Sequence, residues 1–288
     1  MANMELIKNL RDRTGAGMMD CKRALEANND DIEKACDWLR EQGIAKSAKK
    51  ASRIAAEGLT DVAYCEECGK AVVVEVNCET DFVAKGDLFR NLVSTTRKLV
   101  CEKAPATLDE ALELTKELYT DATVSIGEKL SFRRFELVQK EEGQGVGTYI
   151  HMGGKISVLV LLEKEDAELA KGIAMHIAAN NPSYICKNCV PATVIEHEKA
   201  IALEAAKTDE KLKNKPEQAL AKIIEGKVNK TISETVLSEQ HYLLDDSQTV
   251  GNLLTAKGNR VLKFVRYQVG EGIEKRKDDF ASEVMSQI

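Results

Sequence analysis

The chain has 288 residues, 43% of them hydrophobic, enough apolar material for two modest domains or one large one. A formal net charge of -6 and a pI near 5.5 argue against a general nucleic-acid binder, which shows a basic excess over one face. No run approaches the roughly 20 apolar residues of a bilayer span, and the opening MANMELIKNLRDR lacks the apolar core of a signal peptide. Eight scattered cysteines do not make the dense framework of a small secreted domain, so the expectation is a cytoplasmic protein with free thiols and no direct contact with nucleic acid or membrane.

Three short helices come first. Leu6, Ile7 and Leu10 stand at helical spacing before a stop at Thr14 and Gly15, and Met18, Met19, Cys21 and Leu25 suggest a second helix. A third opens with Asp30 or Asp31 near its cap and carries Ile32, Ala35, Cys36 and Leu39 on one face. Helices this short must bury those faces on one another. The basic AKSAKKASRIAAEG, residues 45–58, reads as a helical linker, a solvated connector. LTDVAY and AVVVEV then form a hairpin around CEECGK, followed by a helix over residues 83–103 and helical character over 107–130. Strands return in SFRRFELVQ, VGTYIH and KISVLVLL, and a helix follows in AELAKGIAMHIAAN. Beyond Pro191, Val194, Ile201, Ala205 and Leu212 make one apolar seam, residues 214–216 break it, and Leu220, Ile223 and Ile224 begin another. That is an antiparallel hairpin of coiled-coil type. TVGNLL, a strand VLKFVRYQV and a closing helix over residues 274–285 complete the chain.

The two strand-helix blocks are copies. At a constant offset of 86 positions, residues 72–76 lie over 158–162, and Ala84, Lys85 and Gly86 lie over Ala170, Lys171 and Gly172. Asp81 and Phe82 fall opposite Ala167 and Glu168, so the scaffold repeats while the aromatic at the strand-to-helix corner does not. Phe82 either folds back to staple its own helix or anchors a partner. The missing counterpart in the second copy and the solvated position favour the anchor.

Two CxxC pairs, Cys65 with Cys68 and Cys186 with Cys189, have the residue types of a four-thiolate zinc site. The gap between them far exceeds the usual roughly 15 to 20 residues, and the expectation is that they bind no metal needed for function. No nucleophile motif or phosphate-cradling loop occurs, and His151, His176, His197 and His241 are dispersed. His176 reads as a packed residue, and His151, in the IHMGGK hairpin loop, as either solvated or a contact residue.

Four stretches are more specific: RTGAGMMDCKRAL at 13–25, EVNCETDFVAK at 75–85, HIAANNP at 176–182 and VGEGIEK at 269–275. Through them the whole chain resembles the bacterial elongation factor Ts family, nucleotide exchange factors for the GTPase elongation factor Tu. The resemblance implies an α+β fold with an N-terminal three-helix ubiquitin-associated-like module, a duplicated α/β core with antiparallel sheets, an inserted coiled-coil hairpin and a C-terminal module. The matching boundaries are 1–55, 56–142 and 143–190, then 191–230 for the hairpin, 231–270 for the rest of the second core subdomain, and 271–288. It implies binding without covalent chemistry or cofactor. Thr80, Asp81, Phe82 and Val83 would enter the partner near its magnesium and phosphate site, and Met18, Met19, Ile126 and His151 would make further contacts. The N-terminal module and first core subdomain would hold the GTPase domain, and the second core subdomain would touch the third domain; a higher-order complex stays open. The CxxC pairs lie outside the family's pattern, and a zinc-stabilised adaptor with a ubiquitin-associated-like module is the alternative.

Overall fold

The computed structural model describes residues 3–50, 52–208 and 216–274. Their architecture is α+β, and the chain divides into two compact units. Unit 1 comprises Met1–Val138, Ile150–Ser157 and Tyr267–Ile288, and unit 2 comprises Gln139–Tyr149 and Val158–Arg266.

Unit 1 begins with α1 (Met4–Thr14), α2 (Met18–Ala27) and α3 (Ile32–Lys50). Asn3 caps α1 by accepting the Glu5 N–H at 3.0 Å, and the three helices bury Ile7, Leu10, Cys21, Leu25 and Leu39 in a shared core. Then come β1 (Glu57–Cys65), β2 (Lys70–Cys78), α4 (Asp81–Lys85), α5 (Asp87–Lys103), α6 (Leu108–Ile126) and β3 (Ser131–Gln139), with sheet order β1-β2-β3. β1 and β2 pair antiparallel from Glu57 opposite Cys78 to Cys65 opposite Lys70. Strand alternation sends Val72, Val74, Val76 and Cys78 into the core with Phe89, Leu92, Val93 and Val100 of α5. It sends Glu75 the other way, where the fully buried carboxylate accepts from Arg133 Nη1 at 3.0 Å, Arg134 Nε at 2.5 Å and the Gly270 N–H at 2.8 Å.

Two expectations need correction here. The 45–58 stretch is not a free connector. Its first part continues α3, which packs on α6: a Cβ on Gly43 would lie 2.5 Å from Val124 Cγ2 and 3.3 Å from the Thr120 carbonyl oxygen, and Arg40 pairs with Asp121 at 3.0 Å. Lys50 donates to the Gly127 carbonyl, and Arg53 pairs with Glu79 at 3.2 Å. The helix expected over residues 83–103 is two helices, because Gly86 has an extended backbone (φ -73°, ψ 147°) that ends α4 and starts α5.

Unit 2 is built on β4 (Gly145–His151), β5 (Ile156–Leu162) and α7 (Ala167–Asn180), then α8 (Ala192–Thr208) and α9 (Glu217–Thr235). β6 (His241–Tyr242), β7 (Asp245–Thr249), α10 (Val250–Ala256) and β8 (Val261–Gln268) follow. The sheet order is β4-β5-β8, and the ribbon β6-β7 with α10 has no counterpart in the sequence reading. α8 and α9 form the expected hairpin, and Val194, Leu220, Ile223 and Ile224 pack in its core as expected. The seam on α8 departs beyond Val194: Ile195, Ala202 and Ala206 pack with Ile224, Val228 and Ile232, while Ile201 is 49% exposed and Ala205 is exposed. A step of one residue turns a helix by about 100°, so past Val194 it is Ala202 and Ala206, not Ile201 and Ala205, that turn to the core. Leu212 and residues 275–285 of the expected closing helix lie outside the described residues.

The duplication extends to the caps. Thr80 and Asp166, 86 positions apart, are both N-caps whose side chains accept from the N–H three residues on, Val83 and Leu169. The copies part at the shared glycine. Gly86 breaks its helix, whereas Gly172 lies inside α7, where the Tyr242 hydroxyl occupies the space a Cβ would take, so no side chain fits.

Candidate partner-binding corner

β2 ends at Cys78 and the chain turns at Glu79 and Thr80 into α4. Thr80 lies extended (φ -125°, ψ 154°), the conformation an N-cap needs, and its Oγ1 accepts the Val83 N–H at 3.3 Å. The same hydroxyl donates to Glu128 Oε1 at 2.6 Å, and Glu128 Oε2 accepts the N–H groups of Glu79 at 2.9 Å and Thr80 at 3.0 Å. Glu79 reciprocates by accepting the Lys129 N–H at 2.6 Å. Each glutamate thus satisfies backbone donors of the other segment. The result is a clasp between the corner and the residues just after α6.

The end of α6 also reaches the helical module. Ser125 Oγ donates to the Thr14 carbonyl at 3.0 Å, at the end of α1 where the chain turns toward Met18. Residues 125–129 therefore hold both RTGAGMM and ETDFV. The sequence reading missed Ser125, Glu128 and Glu79. Glu128 lies 48 residues from Thr80, and a glutamate after a helix carries no local mark of such a role.

The four corner residues divide by task. Asp81 pairs with Lys85 at 2.6 Å, and that hydrogen bond holds its carboxyl below the usual carboxylate range. Val83 is half-buried against the core and Ala84 is buried, so this face of α4 is anchored. Phe82, between Asp81 and Val83, is 83% exposed and staples nothing. Leu88, in the first turn of α5, is 60% exposed. Met18 and Met19 open α2 at 48% and 65% exposure. Ile126, the last residue of α6, packs partly against the unit 1 core, and His151, half-buried, ends β4. All eight belong to unit 1, which takes in residues 150–157 of the second copy's hairpin.

The cysteines do not combine as two pairs. Cys186 and Cys189 are joined in a disulfide, a correction to the expectation of free thiols throughout. Cys65 and Cys68 instead gather with Cys101 of α5. The four-thiolate site of the adaptor alternative is not formed. His176 is fully buried: its Nδ1 accepts the Leu243 N–H at 3.1 Å, which assigns the proton to Nε2, donating to Gln240 Oε1 at 2.9 Å. Burial lowers its pKa. It is a packed residue of unit 2.

An anchored backbone presenting an exposed aromatic is an arrangement suited to gripping a protein surface, unlike the enclosed cavity that suits a small substrate. A family model described as Elongation factor TS matches residues 79–271, and one described as Elongation factor Ts, mitochondrial, N-terminal matches residues 1–47. Relatives named Elongation factor Ts include one from Acholeplasma laidlawii, 48% identical over 98% of this chain and 97% of its own length. Others come from Lactiplantibacillus plantarum, 46% identical over 98% and 97%, and Pediococcus pentosaceus, 46% identical over 99% and 97%. The chain belongs to the elongation factor Ts family, and is a translation elongation factor of protein biosynthesis. No helix among the described residues is long and apolar enough to cross a membrane.

Proposed function

We propose that this chain is a guanine nucleotide exchange factor that binds elongation factor Tu carrying GDP and speeds GDP release by disturbing the partner's magnesium and phosphate site. The observation that carries the reading is Phe82, 83% exposed at the head of α4 on a backbone clasped by Glu128. Thr80, Asp81, Phe82 and Val83 form the inserted corner. Met18, Met19, Ile126 and His151 supply further contacts, Val83 and Ile126 offering only the edges left outside the core. The helical module and first core subdomain address the GTPase domain, and the second core subdomain the third domain. The reaction needs no covalent step and no cofactor of this chain.

Factor and nucleotide must each weaken the other's hold on the GTPase, and linkage makes the two weakenings equal. Quickening release about a thousandfold needs roughly 4 kcal/mol of differential binding. Burying one Phe contributes about 1.5–3 kcal/mol, so Phe82 alone is insufficient and the flanking contacts share the task. Asp81 is available for this. Its pair with Lys85 lies in solvent, where an ion pair is screened, so exchanging Lys85 for a partner group costs little.

The test is release of a fluorescent GDP analogue from elongation factor Tu as this chain is titrated in. Acceleration by the parent chain is expected, falling about 10- to 100-fold in second-order rate for Phe82→Ala, the equivalent of about 1.5–3 kcal/mol. No acceleration by the parent chain at any concentration rejects the reading.

A further inference from the structure

The tip of the β1-β2 hairpin carries Cys65-Glu66-Glu67-Cys68-Gly69-Lys70, with Gly69 at φ 65° turning the chain back into β2. Only a residue tolerant of the left-handed region fits there. The turn folds the two cysteines of the CxxC spacing together beside the last turn of α5, where Cys101 projects. The Sγ atoms of Cys65, Cys68 and Cys101 all lie within 4.8 Å of one another, and those of Cys68 and Cys101 are 3.7 Å apart. All three are partly exposed, so a cation can reach them from solvent.

We propose that Cys65, Cys68 and Cys101 form a three-thiolate site for a thiophilic divalent cation, zinc in the first place, that clips the hairpin tip to the C-terminal end of α5. The spacing fits the chemistry. Tetrahedral coordination at Zn–S distances of about 2.3 Å sets neighbouring sulfurs about 3.75 Å apart, close to the separation of Cys68 and Cys101. Thiolates on one compact face suit zinc rather than a hard, oxygen-seeking cation. Binding releases one proton from each thiol and leaves an anionic three-thiolate centre with its fourth position open to water. Lys70 sets a positive charge alongside, its Nζ 3.4 Å from the Cys101 carbonyl oxygen. A site of this kind returns its binding energy as stability of the fold. The clip joins residues 33 and 36 positions apart in sequence and braces α5, the second helix after the Thr80 corner. The sequence reading expected no metal because it weighed the two CxxC pairs against each other. Cys101 was not considered, having no spacing motif of its own, and only the packing of α5 on the sheet brings it to the hairpin.

The test uses the full chain, reduced and desalted without oxygen, then loaded with zinc chloride or cobalt(II) chloride. Expected are one equivalent of zinc retained through desalting, a thiolate-to-cobalt charge-transfer band with tetrahedral cobalt colour, and a higher Tm with zinc. Cys101→Ser weakens binding at least about tenfold and removes the zinc-dependent Tm rise, while a Cys186→Ser, Cys189→Ser double variant binds as the parent does. Cys65→Ser, at the hairpin tip, gives the same loss if Cys101→Ser fails to fold. No retained metal, or zinc held as tightly by both Cys101→Ser and Cys65→Ser as by the parent, overturns the proposal. The exchange assay is a separate readout, so failure of the site leaves the nucleotide-exchange reading standing.

Discussion

Phe82 gains its reach from the residues that do not move. With Val83 and Ala84 packed below and Glu128 holding the Thr80 backbone, the ring is displayed with little packing of its own to lose. Phe82→Ala is therefore expected to leave the Tm of the free chain nearly unchanged while impairing exchange; a large fall in Tm with normal exchange per folded molecule would make the ring structural. Glu168→Ala, the equivalent position in the second copy, should alter neither. At Glu128 both properties are expected to fall together. Glu128→Ala removes the acceptor of three hydrogen bonds at the corner, and for these half-exposed groups the loss is about 1–2 kcal/mol of stability. Exchange should fall in parallel although Phe82 is intact, because the corner's backbone is no longer held. Unchanged exchange in Glu128→Ala would show that the clasp does not position the ring.

At the scale of elements, the stretches that carry the family resemblance are meeting points. EVNCETDFVAK and VGEGIEK come together at the buried Glu75, which accepts the Gly270 N–H while Arg133 and Arg134 neutralise it. RTGAGMM is held at Thr14 by Ser125. HIAANNP folds so that Asn180 donates to its own His176 Nδ1 at 3.1 Å. The α3-α6 contact is vulnerable at Gly43, since Val124 and the Thr120 carbonyl leave no room for a side chain. Gly43→Val is expected to push α3 off α6. If the helical module supplies affinity more than exchange chemistry, this variant should need a higher concentration for half-maximal GDP release yet reach a near-normal rate at saturation. A collapse of the saturated rate with normal half-saturation would count against that division.

At the scale of the whole molecule, stability should depend on pH through His176. Burial depresses its folded pKa below the ordinary value near 6.5, and its Nδ1 already accepts two hydrogen bonds. The unfolded chain therefore binds the proton more readily. The stabilisation is complete above about pH 6.5 and is lost as pH falls through the folded pKa. Melting curves from pH 8 to pH 5 are expected to show a declining Tm with a shallower slope in His176→Gln; equal slopes would remove His176 as the cause. Much of the fold was legible because local pattern carries it. The three N-terminal helices, the CEECGK hairpin and the copied strand-helix unit follow from apolar periodicity, turn residues and self-similarity, which act over a few residues and survive in any tertiary setting. Phe82 was legible as a candidate because one copy has it and the other does not. Tertiary structure decided what depends on residues far apart in the chain. The docking of α3 on α6, the Glu128 clasp and the meeting of Cys101 with the CxxC turn leave no periodic mark. Likewise only packing decided that Ala202 and Ala206, rather than Ile201 and Ala205, close the helical hairpin beyond Val194, because a step of one residue turns the apolar row by about 100°.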